Sequence, residues 1–577
     1  MKELRNVWVI LFSLLMFLFI LNGCEEENKP PFVRFISPDD STIFIKGDTV
    51  RLSVLAEDED GLIEEVRFYE NENYIGRSDE LPYQNDWNTR DVTETINTVK
   101  AVAIDDQGKK SADQITVLVE SYLPAPDNLT ATIMDNETNK IKLTWRDNCS
   151  FESGYRIERD EGSGFNEIAE LDANSTQYID TDLSMGYYKY RVFAFYSDRV
   201  SDYSNIAECN LDVFISTFGG SLRDYGFSVC EASDGGYVIA GETQSYGNGD
   251  SDVWLIKTDA RGSELWNQTY GGSDFDAGYS VCKTSDGGFI ITGETRSFGN
   301  GGFDVWLIKT DALGNEIWNR TFGGSDDDYG RDVLEVSDGG FIITGETRSF
   351  GNGGFDVWLI KTDTQGNELW NQTFGGSDDD YGRSVQEVSD GGFIIAGDTK
   401  SFGNGSSDIW LVKTDADGNE LWNKTFGGTN TEFGFSVRET FDGGFIITGD
   451  TKSSGHGEKD LWLIKTDLNG NELWNQTFGG SDNDYGRSVQ ETATGAYIIT
   501  GYTFSFGRGN SDIWLINTDA TGRESWSRTF GGEFLDYGMS VLESTDGGYV
   551  VAGTLFDDTY NVCLIKIVLP ELVIFPE

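Results

Sequence analysis

The sequence predicts an all-β protein: two β-sandwiches followed by a seven-bladed β-propeller. Three observations predict it. The composition is β-rich, with 70 Gly, only 8 Pro and 13% aromatic residues. Before residue 211 the chain runs as alternating apolar and polar residues broken by turn signals. From residue 211 onward it repeats. The Thr before each aromatic-Gly-Gly falls at Thr217, Thr269, Thr321, Thr373, Thr425, Thr477 and Thr529, every interval being 52 residues. At 577 residues the chain is too long for one core, so several domains are expected.

The N-terminus reads as a targeting segment. Lys2 and Arg5 supply positive charge and "VWVILFSLLMFLFIL" the apolar stretch, which is short for a full membrane span. Leu21-Asn22-Gly23-Cys24 resembles the bacterial lipoprotein box, in which a small residue precedes a cysteine that is diacylated and becomes the mature N-terminus. That resemblance implies a signal peptide over 1–23, a lipid on Cys24 and a membrane-anchored lipoprotein of the outer membrane or cell surface. A plain signal peptide or membrane anchor is the alternative. Glu25, Glu26 and Glu27 are similar to surface-export signals of some outer-membrane lipoproteins. Residues 24–30 form a linker.

Residues 31–121 form the first sandwich, through "TVRLSVLAED", "EEVRFYEN", "TVKAVAID" and "QITVLVES". The stretch resembles bacterial immunoglobulin-like modules of surface proteins. Its Asp58-Glu59-Asp60-Gly61 cluster, with Asp105 or Asp106, offers weak calcium candidates in Asp58, Asp60 and Asp105, and calcium is possible as a structural ion; a solvated turn is the plainer reading. No other cofactor is expected. Residues 124–210 carry "PDNLTAT", "IKLTWRDN", "GYRIERDEG" and "YYKYRVFAFYSDRVSDYSN", which resemble a fibronectin type III domain. The resemblance places Trp145 in the core and Tyr188 at the tyrosine corner, both as fold residues.

Residues 211–577 hold the repeats. In each copy a strand such as "YGRDVLEV" meets the tight turn "SDGG". Next come "GFIITGETRSF", a Gly-rich loop, "FDVWLIKTD", a turn such as "ALGN", and "EIWNRTF". Four antiparallel strands repeated seven times fit a seven-bladed propeller, since one blade cannot bury both its faces. "DVFIST" at 212–217 aligns with the fourth strand, with Phe214 in the Trp place, and is expected to complete the last blade; the tail "ELVIFPE" competes for that position. The hairpin "WLIKTDALGNEIW" resembles the tryptophan-docking repeat of pyrroloquinoline quinone-type propellers, carried here by Trp306, Asp311, Gly314 and Trp318. The seventh copy departs, with Cys563 for the first Trp and Val568 for the Asp. The wider repeat resembles bacterial and archaeal surface lipoproteins loosely labelled endoglucanase-like.

The formal charge of −55 excludes nucleic acid as a natural partner and suits an extracellular surface. Cys149, Cys209, Cys230, Cys282 and Cys563 are widely spaced and form neither a disulfide framework nor a zinc site. No catalytic residue is assigned. Among 98 acids some pair always fits glycoside hydrolysis, the lone His456 sits in a loop, and no island breaks the uniform repeat. The reading is a lipid-anchored surface protein binding an extracellular protein or glycan; the alternative is a polysaccharide-active or quinone-dependent enzyme. Tyr246, Phe298, Phe350, Phe402 and Phe506, in the Gly-rich loops, are the binding candidates.

The stretch "TFGGSDDDYGR" is copied at 321–331 and 373–383, yet only its last acid persists through the copies. Asp224, Asp276, Asp328, Asp380, Glu432, Asp484 and Asp536 therefore read as structural, turn-closing acids that accept backbone N–H bonds, while the first two acids of the triplet read as solvated.

Overall fold

The computed structural model describes residues 27–134, 137–181, 183 and 186–568. Cys24, the apolar leader and the tail "ELVIFPE" lie outside the described residues. The chain is all-β and divides into two units, one ending at Asn210 and the other starting at Leu211.

The first unit holds two sandwiches. In the first, a three-stranded sheet (Phe32–Ser37, Thr49–Glu57, Tyr83–Asn88) faces a five-stranded one built on Ile63–Glu70, Ile96–Asp105 and Lys110–Glu120. Alternation along "TVRLSVLAE" turns Val50, Leu52, Val54 and Ala56 to one side, where they meet Val66, Phe68, Val99 and Ala101 in one core. In the second, Asp127–Met134, Glu137–Arg146 and Gln177–Asp180 pair in one sheet. Gly154–Asp160 and Gly186–Tyr196 centre the other. Trp145 is buried with its ring centroid 5.8 Å from that of Tyr155. Tyr188 is buried and stacked 6.4 Å from Tyr190, whose hydroxyl donates to Asp180 at 2.8 Å.

The second unit is seven four-stranded antiparallel sheets. The first comprises Asp224–Glu231, Tyr237–Thr243, Asp252–Thr258 and Glu264–Tyr270. The second and third strands are buried on both faces, as in Phe289–Thr295 and Asp304–Thr310, because each sheet is covered by a neighbour on either side. Val357 and Leu359 of the third sheet, for example, pack on Phe393, Ile395 and Trp410 of the fourth. The seventh sheet packs on the first through Val550 and Leu564 against Ile239 and Trp254, so the succession closes into a ring. Val213–Phe218 supplies the outer strand of that seventh sheet, pairing antiparallel with Thr559–Ile567. One covalent strand from the start of the unit thus completes its end.

Two devices lock neighbours together. The outer tryptophan of one sheet lies on a turn glycine of the next. A Cβ on Gly366, whose φ is +76°, would come within 2.5 Å of the Trp318 ring, and Phe214 takes the same place over Gly262. On the first strands, each mid-strand side chain accepts the backbone N–H of the following sheet. Ser228 accepts from Val281 (3.2 Å), Ser280 from Val333 (3.4 Å), Asp332 from Val385 (3.0 Å), and onward until Ser540 accepts from Val229 (3.4 Å). The belt encircles a central cavity of about 330 Å³ to which all seven first strands contribute.

Candidate functional site

Every first strand carries a β-bulge at the same point. In the first sheet the register shifts between Gly226 and Ser228, and the same shift recurs in the other six. A bulged residue is left out of the ladder and its side chain is re-aimed. Here that residue is Phe227, Tyr279, Arg331, Arg383, Phe435, Arg487 and Met539 in turn. Successive members touch across the sheets. Phe227 lies 5.1 Å from Tyr279, the Arg331 guanidinium sits 4.7 Å over Tyr279, and the Arg487 guanidinium 3.8 Å over Phe435. Otherwise uniform repeats thus present aromatic, guanidinium and thioether side chains at one register around the axis. No island of this kind stands out in the linear order, because its members lie 52 residues apart.

Behind the bulged residues the second strands supply buried acids: Glu242, Glu294, Glu346, Asp398 and Asp450. Arg331 binds Glu346 at 2.6 Å and reaches Glu294 at 3.6 Å; Arg383 binds Asp398 at 3.5 Å; Lys459 binds Asp450 at 2.7 Å. Arg487 donates to the Tyr502 hydroxyl at 2.6 Å, since the sixth sheet has Tyr in the acid's place. The acids are not all compensated. Oε2 of Glu294, Oε2 of Glu346 and Oδ1 of Asp450 are buried with no hydrogen-bond partner.

Glu242 is only 8% exposed. Burial, then the like charges of Glu294 and Asp224, push its carboxyl up to about 7. Burial also raises Glu294, against the pull of Arg331, and lifts Asp398 to about 6 despite Arg383. The arc formed by the first two sheets is therefore acidic and aromatic, with Arg331 of the third sheet the cation that reaches Glu294 and Tyr279 at one end of it. It can accept hydrogen bonds and stabilise a cationic group.

The residues singled out from sequence fall elsewhere. Asp224 accepts from Gly220 N–H (2.9 Å), Ser245 N–H (3.3 Å) and Ser245 Oγ–H (2.7 Å), as well as from the Thr243 hydroxyl. Asp276, Asp328, Asp380, Glu432, Asp484 and Asp536 bind the corresponding glycine N–H. The bound glycine lies four residues before the acid; the one two residues after it, Gly226, serves close approach to the Gly553 carbonyl of the seventh sheet. The second triplet acids are not simply solvated, because Asp327 accepts from Phe303 N–H at 3.1 Å and Asp379 from Phe355 N–H at 3.2 Å.

Tyr246, Phe298, Phe350, Phe402 and Phe506 each pack 5.2–5.3 Å from a third-strand tryptophan of their own sheet. Where the fifth sheet has Ser454 instead, Trp462 is 7% exposed against 3% for Trp306. In the first sandwich, Asp105 is spent on Asn28, Gln107 and Lys109, and Asp60 accepts from Lys29 N–H. Asp58 has two buried oxygens without partners, yet among the described residues no group of three or more His, Cys, Asp or Glu is arranged to hold a metal ion. Among the described residues Cys149, Cys209, Cys230, Cys282 and Cys563 form no disulfide. Sequence reasoning missed the bulged positions. The signal available was the one column of the aligned copies whose chemistry changes from Phe to Tyr to Arg to Met.

A family model described as a bacterial Ig domain matches residues 31–101. Fibronectin(III)-like modules of Clostridium thermocellum CbhA are 18% identical, covering 31% of this chain and 93% of theirs, with a TM-score of 0.21. An Fn3-like protein from Clostridium thermocellum is 28% identical over 15% of this chain and 92% of its own, with a TM-score of 0.14. The regulatory protein FlaEY of Caulobacter vibrioides is 27% identical over 220 residues, which is 32% of this chain and 23% of that protein. The chain thus spans less than a quarter of that relative's length. Among the described residues no helix is long and apolar enough to cross a membrane.

Proposed function

We propose that this is a non-catalytic surface protein that binds an extracellular protein or glycan at the axial mouth of a seven-bladed β-propeller. In this reading a lipid on Cys24 anchors the chain, and the immunoglobulin-like and fibronectin III-like sandwiches precede the binding ring. The closed succession of seven four-stranded sheets supports the propeller, and the match of residues 31–101 to a bacterial Ig domain supports a surface setting. One observation carries the binding site: a single bulged register, at which the copies differ in chemistry, is gathered around the axis in front of partly uncompensated acids.

The acids favour a partner that brings hydrogen-bond donors or a cation to Glu242 and Glu294. Partner binding by the full chain tests this. Glu294→Gln and Phe435→Ala should each weaken binding about tenfold or more; unchanged binding in both overturns the reading. A second reading rests on the raised Glu242 carboxyl beside Glu294, since a protonated acid near a second carboxyl is the arrangement that hydrolyses glycosides. Polysaccharide hydrolysis abolished by Glu242→Gln would establish it in place of pure binding.

A further inference from the structure

A second site, away from the axis, emerges from one broken bridge. In five sheets an asparagine on the outer strand ties the third-strand tryptophan to a glutamate. Trp254 Nε1–H donates to Asn267 at 3.2 Å, and Asn267 Nδ2–H donates to Glu264 at 2.6 Å. The same bridge runs through Asn319, Asn371, Asn423 and Asn475. The sixth sheet keeps the tryptophan, Trp514, and the glutamate, Glu524, but has Ser527 in place of the asparagine. Serine is too short to span them, so the Trp514 indole N–H and the Glu524 carboxylate are without the bridge that joins their counterparts in the five sibling sheets.

The space left is open. A cavity of about 600 Å³ lies there, lined by His456, Phe506, Trp514, Glu524, Ser527 and Arg528. Trp514 is only 3% exposed and lines this cavity, and its indole N–H lacks the asparagine acceptor that its five siblings have. Phe506, packed 5.3 Å from Trp514, is 46% exposed and offers a free aromatic face at the rim. Arg528 is held by Asp212 at 2.8 Å, which leaves Glu524 as the charge facing the ligand and disfavours an anion.

We propose that this cavity is a subsite for a neutral saccharide. The vacated amide must be replaced by a group that accepts from an indole N–H and donates to a carboxylate. A sugar hydroxyl does both, and the C–H face of the ring stacks on Phe506. The proposal also explains why only one of the five loop aromatics is poised to bind: the other four sit beside a closed asparagine bridge. The axial mouth is not involved.

The test uses the full chain and neutral oligosaccharides of glucose, mannose and galactose, followed by titration calorimetry and tryptophan fluorescence. The informative variant is Ser527→Asn, which restores the side chain present in the five sibling sheets. It should abolish saccharide binding while leaving the melting temperature equal or higher, and Phe506→Ala should weaken binding about tenfold. Binding of the axial partner by Ser527→Asn should be unchanged, so that failure here and failure of the axial reading are separable. Binding that survives Ser527→Asn overturns the proposal, as does the absence of binding by all these oligosaccharides at millimolar concentration.

Discussion

The two ends of the seven first strands follow different rules. Past the belt, at the end carrying Glu231, the strands repeat one clasp. Glu335 accepts from the backbone and hydroxyl of Ser285 in the preceding sheet, Glu387 does the same for Ser337, and Glu231 closes the ring by accepting from Thr545. Lys283 in the second sheet is the exception to the series. At the other end the bulged residues run Phe, Tyr, Arg, Arg, Phe, Arg, Met, and the acids behind them are unevenly matched. Uniformity marks what closes the ring, because every interface solves the same packing problem. In the proposed function, variation at the bulged register is where the ring meets its partner.

Substitutions can break or sharpen that contrast. The largest effect is expected from Arg331→Met, which strands the buried Glu346 carboxylate and should cost about 3–5 kcal/mol in the denaturant-induced unfolding of the ring. Next comes Glu242→Gln, with the opposite sign. An acid whose carboxyl is raised to about 7 when folded penalises the fold above that pH. Stability should therefore fall as pH rises from about 4.5 to about 7, and the substitution should gain up to about 3 kcal/mol at pH 8 and almost nothing at pH 4. A wild-type unfolding midpoint that rises across this window relative to the variant would contradict the assignment.

At the clasp end, Glu387→Ala removes two hydrogen bonds at a part-exposed seam and should cost about 1 kcal/mol. Smallest is Asp332→Ser, which restores the serine of the other sheets and keeps an acceptor for Val385. The unfolding midpoint should move by less than about 0.5 kcal/mol equivalent, and a larger loss would mean that Asp332 belongs with the functional residues.

The sixth sheet shows how far sequence reading reaches. Its departures are visible in the aligned copies: Asn517 stands where siblings have a buried lysine, Thr494 where they have its aspartate partner, and Ser527 where they have the bridging asparagine. Lys465 and Asp442 pair at 2.9 Å in the fifth sheet, so the first two changes remove a buried lysine and its exposed aspartate partner together and leave no buried charge stranded. That they belong together, and that the Ser527 change opens a cavity beside Phe506, follows only from the pairing of strands. The five loop aromatics, read as equivalent from sequence, differ because only one has an unbridged tryptophan beside it.

By itself the sequence determined the class of structure. Alternation sets which face of a strand is apolar, Gly and Asp-Gly signals set the turns, and a 52-residue period sets the number of sheets; all are local properties. Tertiary structure decided the rest. Likeness to the fourth strands offered Val213–Phe218 for the last sheet, with the tail as competitor; its pairing with Thr559–Ile567, more than three hundred positions away, is fixed only when the ring closes. The axial mouth has the same cause: Phe227 and Met539 become parts of one surface only when the ring closes, and the charge on Glu242 is set by burial and by Glu294, neither of which its sequence neighbours reveal.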